Sequence, residues 1–235
     1  MSASEPTRDD LDALRRHDTP TICNAIEVLA PERRTVGFTS RPFVCADPSL
    51  APIVGFARTA TIRAVEPPAV PPAGVRGRRA AYYAYVAAPP GPTVSVIQDL
   101  DARPGFGAFW GEVNSNIHKA LGCVGAVTDG SFRDVDDLAA GFQILGGCLG
   151  PSHAHVHVVD FGVEVNVFGM TVRHGDLIHA DRHGAVVVPA AIARELPSAV
   201  DLIARREKVI LDACRSPGFD IEALKRAMAA SAEIH

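Results

Sequence analysis

The order of apolar and polar positions predicts alternating helices and strands in the first two thirds of the chain. Acidic or proline starts indicate two short helices between residues 8 and 29. Alternating or compact apolar runs predict buried strands at 57–64, 93–100, 123–130 and 142–148. Helical patterns follow the first three strands, at 77–88, 112–122 and 133–140. The proline-rich segment 66–74 is predicted to be a loop.

The pattern changes at residue 153. Almost strict alternation, interrupted by glycines, predicts an antiparallel β meander up to residue 189. Two helical patterns, at 190–214 and 219–232, close the chain. Strands joined by helices and then a run of strands indicate an α/β fold, one domain over 1–235 with a second sheet layered on it. No internal repeat or long linker divides it.

Composition excludes several classes of function. The chain has 235 residues, 47% hydrophobic side chains and a formal charge of −4, which is typical of a globular protein with a substantial core. Its basic residues form no stripe, so nucleic acid is not an expected partner. There is no membrane-spanning run and no apolar signal segment, which predicts a cytoplasmic protein without a membrane partner. Five scattered cysteines without a CxxC pair indicate core thiols rather than disulfides or zinc ligands.

Candidate chemistry lies after two neighbouring strands. After the strand at 93–100, a glycine-rich loop leads to Gly111 and Glu112 at the predicted start of a helix. The free N–H groups of Val113 and Asn114 at that start would bind an anion, because the helix dipole is positive there. The sequence therefore predicts an anion site at this turn.

The second turn carries a cation and a carboxylate. Arg133 and Asp134 follow the strand at 123–130, at the edge of an open α/β sheet where ligands usually bind. Arg133 would bind a carboxylate through two hydrogen bonds, and Asp134 would hold Mg²⁺ or Mn²⁺ together with water. The alternative is a helix cap with a surface ion pair, which is the commoner use of an Arg-Asp pair.

Two motifs resemble a known family. Residues 111–138 read GEVNSNIHKALGCVGAVTDGSFRDVDDL, and residues 175–189 read GDLIHADRHGAVVVP. The first is similar to the signature of proteins related to the regulator of ribonuclease E activity A, which include the 4-hydroxy-4-methyl-2-oxoglutarate/4-carboxy-4-hydroxy-2-oxoadipate aldolases. That signature is an acidic residue, twenty intervening positions and Arg-Asp, here Glu112 and Arg133-Asp134. The similarity extends over about residues 19–190.

The resemblance implies a swivelling β/β/α layered core with C-terminal helices, assembled as a homotrimer or hexamer. It implies a class II aldolase, dependent on Mg²⁺ or Mn²⁺, that releases pyruvate and also decarboxylates oxaloacetate. Residues 111–114 would line the substrate site, Arg133 would bind the 2-oxo acid carboxylate and Asp134 would ligate the metal. Glu112 would act as acid/base through water. A non-catalytic trimeric regulator that binds an endoribonuclease is the alternative.

The chain departs from the family pattern at several positions. Many relatives have aspartate at the position of Glu112, and many have aspartate at the position of Asn24. His174 replaces a proline that usually precedes the Gly-Asp pair. The metal-dependent relatives also draw an acidic group from a neighbouring subunit, and Glu207 is the nearest candidate for it in this chain.

Histidines form the remaining candidates. His153, His155 and His157 alternate along one predicted strand, a spacing that can bind zinc, but the favoured role is structural or at an interface. His118 is expected to be a partly buried, hydrogen-bonded side chain rather than a catalytic one. His179, Asp181 and His183 of the second motif could form a trio of ligands, but a turn that bonds its own backbone is favoured, and Asp176 is likewise expected to form a turn.

Overall fold

A computed structural model describes residues 6–235 of the chain. The helices are α1 Arg8–Leu14, α2 Thr19–Leu29, α3 Pro72–Ala87, α4 Glu112–Ala120, α5 Leu196–Cys214 and α6 Ile221–Ala232. The strands are β1 Val44–Cys45, β2 Ile53–Arg63, β3 Thr93–Asp99, β4 Cys123–Thr128, β5 Ser131–Phe132, β6 Gln143–Gly146, β7 Cys148–Leu149, β8 His157–Phe161, β9 Val165–Val167, β10 Met170–Val172, β11 Leu177–Asp181 and β12 Gly184–Val188. No helix in this part of the chain is long and apolar enough to cross a membrane.

An eight-stranded sheet organises the fold. Its order is β1-β6-β4-β3-β2-β11-β12, with β8 also paired to β2. The strands β2, β3, β4 and β6 are parallel, and the others pair antiparallel. Parallel neighbours end at the same edge of a sheet, so the segments after β3 and β4 lie side by side. This places the two turns that carry the candidate chemistry next to each other.

Alternation along β2 divides the core into two layers. Phe56 and Ile62 belong to the clusters that the helices cover, whereas Ile53 and Ala57 pack with the β9–β10 hairpin on the other face. The order of layers is therefore hairpin, sheet and helices. This arrangement confirms the predicted α/β fold with a β/β/α layered core and C-terminal helices.

Three predictions about local structure are wrong. Residues 133–140 form no α-helix but only a 3-10 turn at Val135–Asp137, because Asp134 has a left-handed backbone with φ 53°. The region from 153 to 189 is not one meander, since β8 and β11 each pair with the long strand β2 while β9 and β10 form a separate hairpin. Helix α3 begins at Pro72, inside the predicted loop 66–74, because proline is tolerated in the first helical turn.

Candidate functional site

The two turns meet through a short backbone bridge. Trp110 and Phe132 form a parallel β-bridge, and the backbone N–H of Arg133 donates to the carbonyl oxygen of Trp110 over 3.0 Å. Both aromatic side chains are almost completely buried in one core cluster, and the centre of the Trp110 ring lies 4.5 Å from that of the His118 ring of α4. The backbone that carries Gly111 is thereby fixed against the backbone that carries Arg133 and Asp134.

Asp134 caps helix α4 from outside its own segment. Its Oδ2 atom accepts a hydrogen bond from the backbone N–H of Glu112 over 3.2 Å. The N-cap residue Gly111 supplies no side-chain cap, and a Cβ atom there would lie 2.5 Å from the same Oδ2. Glycine is needed at position 111 because it lets this carboxylate approach the positive end of the helix.

Arg133 lies beside this carboxylate. Its Nε atom is 3.4 Å from Oδ2 of Asp134, and the two side chains are 37% and 35% exposed. The surface ion pair that the sequence left as an alternative is therefore present, whereas the cap is on α4 and not on the helix predicted at 133–140, where Asp134 makes no side-chain cap. Such an exposed pair contributes at most about 1 kcal/mol to stability.

Several hydrogen-bonding groups at the point where the two turns meet have no partner among the described residues. Within residues 6–235, no group accepts from the backbone N–H of Val113 or Asn114, and none donates to Oδ1 of Asp134. The terminal nitrogens of Arg133 also make no hydrogen bond to the described residues. The place where the two turns meet therefore presents unpaired donors of the kind that suit an anion and an unpaired carboxylate oxygen of the kind that suits a cation.

These groups face one cleft of about 370 Å³. Five of the six predicted site residues line it: Gly111, Val113, Asn114, Arg133 and Asp134. Glu112 does not line it, and its side chain is exposed. The structure brings the predicted residues together around a cavity of small-molecule size, but their chemical roles stay predictions.

The cleft also contains residues that were not predicted as site residues. Arg79 of α3 and the histidines of the 153–157 segment line it: His153, His155 and His157. Nδ1 of His153 lies 2.7 Å from the carbonyl oxygen of Ala154, and Nδ1 of His157 lies 2.8 Å from that of His155. The prediction that all three lie on one strand is wrong, because only His157 is in a strand, at the start of β8, and Ala154 has a left-handed backbone with φ 45°. The sequence therefore did not indicate that they line the cleft.

The donor set fits magnesium or manganese better than zinc. No group of three or more His, Cys, Asp or Glu side chains in the described part of the chain is arranged to hold a metal. A closed tetrahedral zinc site is therefore absent from residues 6–235. One carboxylate oxygen with no hydrogen-bond partner, Oδ1 of Asp134, is compatible with Mg²⁺, which usually keeps several waters and binds one or two carboxylates.

His118 lies beneath the site and has the role predicted for it. It is fully buried, its Nε2 lies 2.9 Å from the hydroxyl of Tyr82 and its Nδ1 lies 2.7 Å from the carbonyl oxygen of Asn114. Burial lowers the pKa of His118 to about 4. The ring is therefore neutral at pH 7 and connects α4 to α3.

A second buried histidine lies in the later motif. His179 is also buried, and burial lowers its pKa to about 4. Asp181 and Asp176 form turns as predicted, since Asp181 accepts from the N–H groups of Thr19 and His183 and Asp176 accepts from that of Arg173. The turn prediction is wrong for His179, which lies in β11 with its Nε2 3.3 Å from the carbonyl oxygen of Leu14 and 3.1 Å from that of His17.

We expect the two buried histidines, His118 and His179, to make the protein less stable in acid. Each has a folded pKa of about 4, below the usual 6.5, so unfolding takes up a proton between these pH values and stability is lost as the pH falls. Each would contribute a loss on the order of 3 kcal/mol. Asp129 opposes this, since burial raises its pKa to about 6 and its protonation in the folded protein adds stability as the pH falls.

Denaturant unfolding of His118→Gln at pH 7 and pH 4.5 measures this contribution. The loss of unfolding free energy between the two pH values should be smaller in the variant than in the unaltered protein. His235→Gln, at the exposed end of the chain, should leave the loss unchanged. Equal pH dependence in the two variants would contradict the assignment to His118.

Comparisons with known proteins agree with the fold and the motifs. A model of the RraA-like family, described as Aldolase/RraA, matches residues 19–187. A solved structure of an uncharacterized protein from Pseudomonas syringae pv. tomato is 22% identical, with a TM-score of 0.72, and covers 98% of this chain and 97% of its own. The Streptomyces coelicolor protein RraAS2, described as an unusual member of the RNase ES inhibitor RraA protein family, is 23% identical, with a TM-score of 0.68, over 87% of this chain and 96% of its own.

A curated relative matches less of its length. An uncharacterized protein of Methanocaldococcus jannaschii is 31% identical over 105 residues, which is 44% of this chain. The chain spans about half the length of that relative, at 50%. The two solved structures are less than 25% identical to the chain and therefore support the fold alone.

Proposed function

The chain belongs to the RraA-like (aldolase/RraA) family, and from this premise we propose that it is a lyase dependent on Mg²⁺ or Mn²⁺. Its proposed substrates are 4-hydroxy-4-methyl-2-oxoglutarate or 4-carboxy-4-hydroxy-2-oxoadipate, cleaved to pyruvate and a second 2-oxo acid, with decarboxylation of oxaloacetate as a further activity. The family contains both aldolases or decarboxylases and ribonuclease inhibitors, so membership alone does not select a function. The supporting observation is that Arg133, Asp134 and the open N–H groups of α4 share one cleft.

Arg133 is assigned to the substrate's 2-oxo carboxylate. Its terminal nitrogens make no hydrogen bond to the described residues, and a guanidinium can bind a carboxylate through two parallel hydrogen bonds. The N–H groups of Val113 and Asn114 add donors at the positive end of α4. The carboxylate would be held at the junction of the two turns.

Asp134 is assigned to the metal through Oδ1, the carboxylate oxygen that accepts no hydrogen bond from the described residues. When bound, Mg²⁺ or Mn²⁺ polarises the 2-oxo group and stabilises the negative charge that develops there as the C–C bond breaks. The positive charge of Arg133 would stabilise the same developing charge from its position beside Asp134. The second oxygen of Asp134 keeps its hydrogen bond to α4 and orients the carboxylate.

Proton transfer is assigned to Glu112. Cleavage of an aldol requires removal of the 4-hydroxyl proton and delivery of a proton to the departing pyruvate carbon. The Glu112 side chain is exposed and outside the lining of the cleft, so it would act through an ordered water. Its backbone N–H is bonded to Asp134, which keeps the two residues adjacent.

A homotrimer or hexamer is the proposed assembly, in line with a family whose members are typically oligomeric. Large apolar side chains are exposed in the loop before α4, in α4 itself and in β7, with Phe106 59%, Val113 67% and Leu149 54% exposed. Clustered exposed apolar side chains are typical of surfaces that contact another protein. Glu207 of α5 is exposed and does not line the cleft of its own chain, so any contribution to the site would come from a neighbouring subunit.

A non-catalytic regulator of an endoribonuclease is the second candidate. Membership of the RraA-like family, which includes ribonuclease inhibitors as well as aldolases, supports it. Binding would use the outer surface of the oligomer and would not need the open groups in the cleft.

A coupled assay for pyruvate release separates the two candidates. We expect turnover of 4-hydroxy-4-methyl-2-oxoglutarate and of oxaloacetate with Mg²⁺ or Mn²⁺, and loss of turnover with EDTA that is restored by excess metal. The physical reason is that Asp134 supplies only one carboxylate ligand. The cation depends on water and substrate for its remaining ligands, so a chelator can compete for it. Turnover that persists in EDTA, or no turnover of related 2-oxo acids, would contradict the lyase proposal.

A further inference from the structure

Helix α3 contributes a cation to the cleft. Its first half is exposed, and Val75 and Arg79, with Pro68 of the preceding segment, line the same cavity as Arg133 and Asp134. None of the functional assignments above uses this wall. This wall is formed by Pro68 of the proline-rich segment and by Val75 and Arg79 of α3.

Hydrogen bonds fix the position of Arg79. Its Nε donates to the hydroxyl of Tyr83 over 3.1 Å, and its guanidinium lies 6.0 Å from the centre of the Tyr83 ring. The Tyr83 hydroxyl donates to Oδ1 of Asn114 over 2.8 Å, and Nδ2 of Asn114 donates to the carbonyl oxygen of Phe109 over 2.5 Å. Asn114 also lines the cleft at the start of α4. The chain of bonds therefore connects Arg79 to the candidate site.

The charge of Arg79 is not balanced. In the described part of the chain, no carboxylate forms an ion pair with it, and its terminal nitrogens have no hydrogen-bond acceptor. Asp134 is the only carboxylate among the residues that line the cleft, and it lies beside Arg133. The cleft therefore contains two guanidinium groups and one carboxylate. A small ligand with two anionic groups matches this distribution of charge.

We propose that Arg79 binds the distal carboxylate of the substrate and makes the enzyme selective for dicarboxylic 2-oxo acids. This inference rests on the proposed function for the position of the other end of the substrate, at Arg133 and the start of α4. Arg79 is then a specificity-determining residue, since its ligand group lies away from the bond that breaks. A fixed guanidinium suits this task because it loses little freedom when it binds.

Two unreactive probes of equal chain length test the inference. They are 2-oxoglutarate, which carries the distal carboxylate, and 2-oxopentanoate, which does not; neither has a 4-hydroxyl group to cleave. Their dissociation constants are measured by calorimetry on the full chain with Mg²⁺. In Arg79→Met, binding of 2-oxoglutarate should weaken about 10- to 100-fold, the usual effect of losing a hydrogen bond between charged groups, while 2-oxopentanoate is unaffected.

The same helix provides a control. Arg76 is exposed on α3 and does not line the cleft, so Arg76→Met should leave both dissociation constants unchanged. Arg79→Lys keeps the charge but not the planar fork, and should give an intermediate loss for 2-oxoglutarate alone. The same loss of 2-oxoglutarate affinity in all three variants would come from a general change in helix α3 and would overturn the proposal.

The outcomes separate the subsite from the lyase activity. Selective weakening of 2-oxoglutarate in Arg79→Met supports the subsite even if the pyruvate assay is negative. Equal affinities in the variant and the unaltered protein overturn the subsite and leave the lyase proposal in place. If the unaltered protein binds neither probe, the subsite is overturned, and the pyruvate assay decides separately on the lyase.

Discussion

Asp134→Asn should abolish pyruvate release, with a loss in kcat/KM on the order of 10³-fold or more. The substitution is nearly isosteric, and asparagine tolerates the left-handed backbone that Asp134 adopts with φ 53°. Its amide oxygen can still accept the hydrogen bond from Glu112 that caps α4. What it removes is the negative charge for the divalent cation, and the charge stabilisation supplied by the cation is worth several kcal/mol. Alanine at this position would add backbone strain and is the less informative change.

Three measurements test the Asp134 prediction. Calorimetric titration with Mn²⁺ should show weakened metal binding in Asp134→Asn, whereas the melting temperature should change little because the cap is preserved. Asp136→Asn, an exposed neighbour on the 3-10 turn, is the matched control and should retain activity and metal affinity. Normal turnover in Asp134→Asn would remove this residue from the metal site.

The sequence predicted the location of the candidate site because that location follows from strand order. Short apolar runs identified β3 and β4, and parallel strands that are neighbours in the chain are usually neighbours in the sheet. The turns that carry Gly111 and Arg133 therefore had to lie close together, as the bridge between Trp110 and Phe132 shows. The α/β class with a second sheet followed from the order of strands and helices, whereas the β/β/α core was implied by the family resemblance.

The helix prediction at 133–140 was wrong because a contact that is distant in sequence determines the backbone conformation there. Residues 133–140 have the composition of a helix, but Asp134 adopts a left-handed conformation with its carboxylate against the start of α4. The capping partner is 22 positions away along the chain and cannot be identified from neighbouring residues. A tertiary contact has here overridden helix propensity.

The sequence also did not show which strands pair with each other or which residues form the walls of the cleft. β2 is 11 residues long, and its first part pairs with β11 while its last part pairs with β8. Alternation identifies a strand but does not identify its neighbour, so the meander prediction failed. Arg79 was placed in a helix, but its position in the cleft depends on where the segment before α3 runs.

Arg133→Met should reduce kcat/KM by about 10²- to 10³-fold, because two charge-assisted hydrogen bonds to the substrate carboxylate are lost. If Arg133 only anchors that carboxylate, KM should rise with kcat unchanged, since the contact is the same in ground and transition states. If it also stabilises the charge that develops on the 2-oxo oxygen, kcat should fall as well. We expect both changes, because its Nε lies 3.4 Å from the carboxylate assigned to the metal.

Metal affinity distinguishes this loss from damage to the metal site. Removing a positive charge next to Asp134 removes a repulsion, so Mn²⁺ should bind Arg133→Met as tightly as the unaltered protein or more tightly. Arg133→Lys keeps the charge without the bidentate fork and should recover kcat more than KM. Weaker Mn²⁺ binding in Arg133→Met would mean that Arg133 acts by positioning Asp134 and not by binding the substrate. Equal losses of kcat/KM in the Lys and Met variants would exclude a contribution from the charge of Arg133.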